Sequence, residues 1–74
     1  MKAEFIEEYL NAKPFHRFRV RLTDGSTVTV LSRDHAALSP TGRTLAVFIG
    51  KSDRMKVLDV PLITAIESKD PEAK

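Results

Sequence analysis

The chain has 74 residues, a formal net charge of +2, 42% apolar and 30% charged residues, and no cysteine. That length leaves room for one domain only, and the composition is that of an ordinary globular protein rather than a disordered or fibrous one. Without cysteine there are neither disulfides nor thiolate metal sites, and the two histidines, His16 and His35, have no ligand-spaced partners, so no cofactor or metal staple is expected. A domain this small buries only about 60% of its unfolded surface and gains roughly 3 to 5 kcal/mol of net stability from one core. Self-association is the remaining common supplement.

The N-terminal stretch MKAEFIEEYLNAK carries three glutamates and no unbroken apolar run. It fits neither a secretory leader nor a membrane span, and a cytoplasmic location with no membrane partner is expected. Residues 3–12 instead predict an amphipathic helix, with Phe5, Ile6, Tyr9 and Leu10 gathered on one side and Glu4, Glu7 and Glu8 toward water. Pro14 ends it, because proline disfavours helical backbone in the residue before it.

From Arg17 to Leu22 the sequence alternates strictly: Phe18, Val20 and Leu22 share one face of a strand, and Arg17, Arg19 and Arg21 share the other. Residues 26–31 alternate likewise, with Val28 and Val30 against Thr27 and Thr29. Parity selects the turn between them. A two-residue Asp24-Gly25 loop would mix core and solvent on each face, whereas a three-residue loop, Thr23-Asp24-Gly25, sets Val20 opposite Val28 and Phe18 opposite Val30. The longer loop also places Gly25 at the left-handed position that it requires.

Residues 32–43 are turn-rich, with Ser39-Pro40 and Thr41-Gly42 around the short apolar run Ala36 to Leu38, which predicts a brief strand or an irregular connection. Thr44 to Ile49 and Met55 to Val60 form a second hairpin across residues 50–54, and Leu62 to Ile66 a last strand after Pro61. Residues 68–74 are polar and predict a disordered tail, leaving residues 1–67 as a single domain. A helix followed by about five short antiparallel strands predicts a mainly β fold, either a small SH3-like or Sm-like barrel with the helix over one open end, or an open antiparallel sheet with the helix packed on one face.

Four motifs carry a resemblance: Pro14-Phe15-His16-Arg17-Phe18, Leu22-Thr23-Asp24-Gly25, Ser39-Pro40-Thr41-Gly42-Arg43-Thr44 and Leu62-Ile63-Thr64-Ala65-Ile66-Glu67. With these the chain resembles a family of short uncharacterised bacterial proteins, which implies one compact unit and no particular activity. The order of helix, strand ending near Asp-Gly and further hairpins is also similar to the Sm-like family, whose rings bind RNA. Asp34-His35-Ala36-Ala37 is the nearest counterpart to that family's Asp-x-x-Asn element, and the Arg-Gly or Lys-His signature of its RNA pocket is missing, so this resemblance implies a fold more than a ligand.

Residues 14–58 hold a formal charge of +5, flanked by segments of −1 and −2. Arginines two apart on a strand lie about 6.6 to 6.8 Å apart, close to the spacing of nucleic-acid phosphates. Arg17, Arg19 and Arg21, with Arg33, Arg43, Lys51, Arg54 and Lys56, are therefore candidate nucleic-acid contacts. The bland reading is a solvated face, or one paired with the acidic helix; no aromatic interleaves the arginines for base stacking. Asp34 and His35 with Ser32 or Ser39 supply the residue types of a hydrolytic triad, yet a turn with a local Asp34 hydrogen bond explains them, and no enzyme and no small-molecule substrate are expected. His16 could pair with a helix glutamate. Pro40-Thr41-Gly42-Arg43 lacks the spacing of a phosphate loop and reads as a tight turn. Asp59, inside an apolar strand, would need a partner such as Arg43 if buried.

The second hairpin is apolar on both faces. Leu45, Val47, Phe48, Val57 and Leu58 are candidate self-association residues, because one of those faces must be covered by the helix or by a second copy of the chain. The leading expectation is thus a non-enzymatic interaction module that forms a homo-oligomer through residues 44–60. The alternative is an RNA-binding protein using the basic strand face.

Overall fold

A computed structural model describes residues 1–68. It is mainly β with one N-terminal helix, α1 (Ala3–Leu10), and six strands: β1 (Phe18–Leu22), β2 (Thr27–Val30), β3 (Ala36–Leu38), β4 (Thr44–Phe48), β5 (Met55–Asp59) and β6 (Ile63–Ser68). They form two three-stranded antiparallel sheets, in the orders β2-β1-β6 and β3-β4-β5.

The predicted barrel is not closed, and the open antiparallel alternative describes the chain, as two sheets rather than one. Two 3-10 turns separate the sheets. Arg33–His35 takes the backbone out of the ladder between β2 and β3, and Val60–Leu62 does so between β5 and β6. Pro61, which has no amide proton to give a ladder, stands in the second turn rather than at a strand start.

The first hairpin has the register that parity selects: Phe18 faces Val30, Val20 faces Val28, and Arg21 faces Thr27. The Leu22 N–H donates to Ser26 O and the Gly25 N–H to Leu22 O, both at 2.9 Å, enclosing the three-residue loop with Gly25 at φ +88°. Asp24 Oδ1 accepts from the Ser26 amide and hydroxyl at 2.9 and 2.6 Å, an Asx-type link that fixes the loop. The last strand starts one residue later than expected and runs through Ser68, so it includes Glu67; of the predicted disordered tail, residues 69–74 lie outside the described residues.

One core joins both sheets and the helix: Ile6 and Leu10 from α1, Phe18, Val20, Val28 and Val30 from the first hairpin, Leu45 and Val47 from β4, with Leu58, Val60 and Ile63. Tyr9 and Phe15 stack tilted on the buried Phe18 ring at centroid separations of 5.2 and 6.0 Å, inside the favourable range for aromatic pairs. The helix is two residues shorter at its C-terminus than the sequence predicts, and Phe5 is 49% exposed rather than packed. Eight residues touch the sheets along one narrow stripe, Ile6 and Leu10 one turn apart, and Phe5 falls on its flank. Gly42 (φ +77°) ends the β3–β4 turn directly beneath the helix start, where a Cβ would come within 2.8 Å of Ala3 Cβ. Among the described residues no helix is long and apolar enough to cross a membrane.

Candidate functional site

The basic strip divides in two. Arg19 faces Glu67 across the β1–β6 ladder, and Glu67 answers two arginines at once: Arg19 Nε donates to Oε1 at 2.9 Å and Arg21 Nη2 to Oε2 at 2.9 Å. Both guanidiniums therefore meet an acid on the neighbouring strand, not the acidic helix. The Arg21 and Arg19 hydrogen bonds hold the Glu67 carboxyl below its ordinary range.

Arg17 lies before β1 begins, beyond this network. It lines a cleft of about 430 Å³ with Thr27, Val28, Thr29 and Leu31 along β2, Ile49 and Gly50 at the start of the β4–β5 turn, and Lys56 on β5. The remaining candidate cations lie on other segments of the chain. Arg33 borders the C-terminal end of α1 with Leu10 and Asn11, Arg43 precedes β4, and Lys51 and Arg54 sit on the β4–β5 turn. Of the eight predicted nucleic-acid contacts, Arg17 and Lys56 line one cleft and Arg19 and Arg21 share Glu67.

Ser32, His35 and Gly50 tie two walls of that cleft together. A carbonyl can only accept, so His35 Nε2–H donates to Gly50 O at 2.9 Å, leaving Nδ1 to accept from the Ser32 hydroxyl at 2.7 Å. Both imidazole nitrogens are thereby used to join chain segments fifteen residues apart. Asp34 is exposed and takes no part in this link, which is made by a serine, a histidine and a backbone carbonyl. His16 is exposed and borders a shallow hollow with Glu8 and Tyr9. Among the described residues no cluster of His, Asp or Glu could hold a metal ion.

The second hairpin places its two apolar faces differently from one another. Leu45 faces Leu58, and Val47 is buried beside them, so Leu45, Val47 and Leu58 belong to the core and offer no surface to a partner. The rows between them point outward: Ala46 opposite Val57, and Phe48 opposite Met55. Phe48, Met55 and Val57 are 41, 52 and 62% exposed. The sequence also sets Ala46 beside Phe48 on this face; Met55 was not singled out, although its pairing with Phe48 follows from the hairpin register. Asp59, opposite Thr44 in the same outward rows, is exposed and needs no buried partner; Arg43 contributes its carbonyl instead, accepting the Val60 N–H at 2.8 Å.

The helix does not cover this outward face. Its buried stripe enters the core, and its start is held over the β3–β4 turn by the Ala3 and Gly42 approach. No family model, no curated protein and no solved structure matches the chain.

Proposed function

We propose that this chain is a non-enzymatic interaction module that self-associates through the outward face of the β3-β4-β5 sheet. The observation that carries the reading is the set Phe48, Met55 and Val57, open to water in two rows with the half-buried Ala46, while the one helix among the described residues is engaged elsewhere. A second copy suits the face better than an unlike partner because the ends of β5 are oppositely charged. Arg54 precedes the strand and Asp59 closes it, so a two-fold axis near Val57 brings the Arg54 end of one β5 to the Asp59 end of the other.

The magnitude follows from the exposures. Full burial of a side chain of this class is worth about 1.5 to 3 kcal/mol, so covering the exposed half of Phe48, Met55 and Val57 gives about 1 kcal/mol each. Six such side chains in a dimer supply roughly 6 kcal/mol, with the rim charges in addition, against an association cost of about 4 to 15 kcal/mol. Against the lower end of that cost the net gain is about 2 kcal/mol before the rim charges, which puts the dimer in the weak class, dissociating at millimolar concentrations.

Sedimentation velocity across that range tests it. The sedimentation coefficient of the wild-type chain rises with concentration, and Val57→Lys, which sets like charges against each other at the axis, stays monomeric throughout. A wild-type monomer at millimolar concentration overturns the reading. RNA binding along Arg17, Arg19 and Arg21 ranks second, since two of those guanidiniums would first have to leave Glu67.

A further inference from the structure

We infer that the cleft between β2 and the β4–β5 turn is a binding site for a phosphate ester with an apolar body, of mononucleotide size. This site is separate from the self-association face: Lys56 lies opposite Val47 in the inward rows of β5, whereas Met55 and Val57 lie in the outward rows.

Three observations converge on that ligand. Arg17 and Lys56, thirty-nine positions apart, line one cleft, and among the described residues no acid lines it with them. Unlike Arg19 and Arg21, neither forms an ion pair among the described residues. The acid that Lys56 does influence, Asp24, has its carboxylate engaged by Ser26. Two unpaired cations on one concave surface concentrate anions, and a phosphate group takes both the guanidinium fork and the ammonium point charge.

The remainder of the lining fits the remainder of such a ligand. Thr27 and Thr29 offer exposed hydroxyls that donate to phosphate or ribose oxygens, and Leu31 and Ile49 offer apolar surface for a ring. Gly50 leaves open space where any other residue would place a Cβ. A volume of 430 Å³ lies inside the range of about 300 to 1,000 Å³ typical of small-ligand sites. The cleft is also held before any ligand arrives: the Ser32-His35-Gly50 link fixes Leu31 and Gly50 relative to each other, which lowers the ordering cost of binding.

The test is a ¹⁵N-HSQC titration of the full chain with inorganic phosphate, adenosine 5′-monophosphate, a short single-stranded RNA and a hexaglutamate peptide, each at low and moderate salt. Adenosine monophosphate is expected to shift the amides of residues 27–31, 49, 50 and 56, about tenfold more tightly than inorganic phosphate because of the apolar wall. Arg17→Gln and Lys56→Gln each weaken it about tenfold, whereas Arg33→Gln, a cation beside the helix, leaves it unchanged. If RNA shifts the same amides with the same dependence on Arg17 and Lys56, the phosphate comes from a nucleic-acid chain, and the site stands. Equal weakening by Arg33→Gln, shifts outside the cleft, or hexaglutamate binding as well as the phosphate esters overturns it. Val57→Lys has no effect on these shifts, so the self-association reading can fail without this one failing.

Discussion

The close approach of Gly42 to Ala3 decides whether the helix leaves the apolar hairpin face open, and it can be measured by a double-mutant cycle. Gly42→Ala introduces two costs. A residue with a side chain held in left-handed backbone loses roughly 1 to 2 kcal/mol, and Gly42 stands at φ +77°. The new Cβ would also lie 2.8 Å from Ala3 Cβ, where carbon pairs prefer about 3.5 to 4.0 Å, and overpacking of this kind costs about 1 to 3 kcal/mol. Gly25→Ala supplies the control, since Gly25 has φ +88° and nothing within 4 Å of its Cβ position. The expected losses are therefore about 2 to 5 kcal/mol at Gly42 and about 1 to 2 kcal/mol at Gly25.

Ala3→Gly alone costs at most about 1 kcal/mol as a helix-propensity effect, and combined with Gly42→Ala it removes the clash. The double variant recovers the packing part of the loss, a coupling of about 1 to 3 kcal/mol between two positions far apart in sequence. Urea denaturation followed by circular dichroism reads all four proteins. If Gly42→Ala is unfolded at 25 °C, a fixed concentration of sucrose, which strengthens burial in every member of the cycle, restores the comparison. Equal losses at Gly42 and Gly25, or no coupling to Ala3, would place the helix elsewhere and remove the ground for calling the outward hairpin face uncovered.

Other consequences can be measured with the same material. The Glu67 carboxyl is held below its ordinary range by Arg21 and Arg19, so its contribution to stability is present above the unfolded value near 4.5 and is lost as pH falls through the lower folded value; Glu67→Gln should flatten the acid limb of the stability profile, and an unchanged limb would refute the pairing. Asp24, lowered chiefly by the Ser26 hydroxyl and then by its amide, adds to the same limb with the same sign, its contribution being present above the unfolded value near 3.8 and lost as pH falls through the lower folded value; Ser26→Ala should diminish that loss, and an unchanged acid limb would count against the link. His35→Ala removes both the Ser32 and Gly50 hydrogen bonds, each worth about 1 kcal/mol, and should speed amide exchange around residues 49–51; exchange at the wild-type rate there would refute the link. Phe18→Ala, at the centre of the aromatic cluster, should cost about 3 to 5 kcal/mol, enough to unfold a domain of this size in a thermal melt.

The first hairpin was legible in the sequence because a period of two and a glycine leave only one register that keeps Phe18, Val20, Val28 and Val30 on a common face. The helix was legible as an element but not in all of its packing: periodicity groups Phe5 with Ile6, whereas the contact buries Ile6 and Leu10, takes in Tyr9 against Phe18 and leaves Phe5 half exposed. Barrel closure was not legible, since it depends on whether the backbone stays in the ladder through residues 33–35 and 60–62, and both stretches leave it as 3-10 turns. The fate of the arginine strip turned on one residue. Ending the last strand at Ile66 leaves Glu67 outside the sheet, and only the β1–β6 pairing brings it opposite Arg19.

That pairing interrupts the arginine strip. An extended strip would need all three arginines free, but Glu67 spans two of them and halves the charge of that pair, leaving a network of formal charge +1. The excess charge is left at the ends of the sheet and on the second hairpin, where Arg17 and Lys56 meet across the cleft and Arg54 stands at the head of β5. The β4–β5 hairpin thus carries both proposed contacts on opposite sides of one ribbon, with Lys56 in its inward rows and Val57 in its outward rows. Adjacent residues on a strand point to opposite faces as a matter of pleat geometry. A single short strand can therefore offer a charged site and an apolar seam without either side chain intruding on the other, and separate substitutions at Lys56 and Val57 divide the two functions.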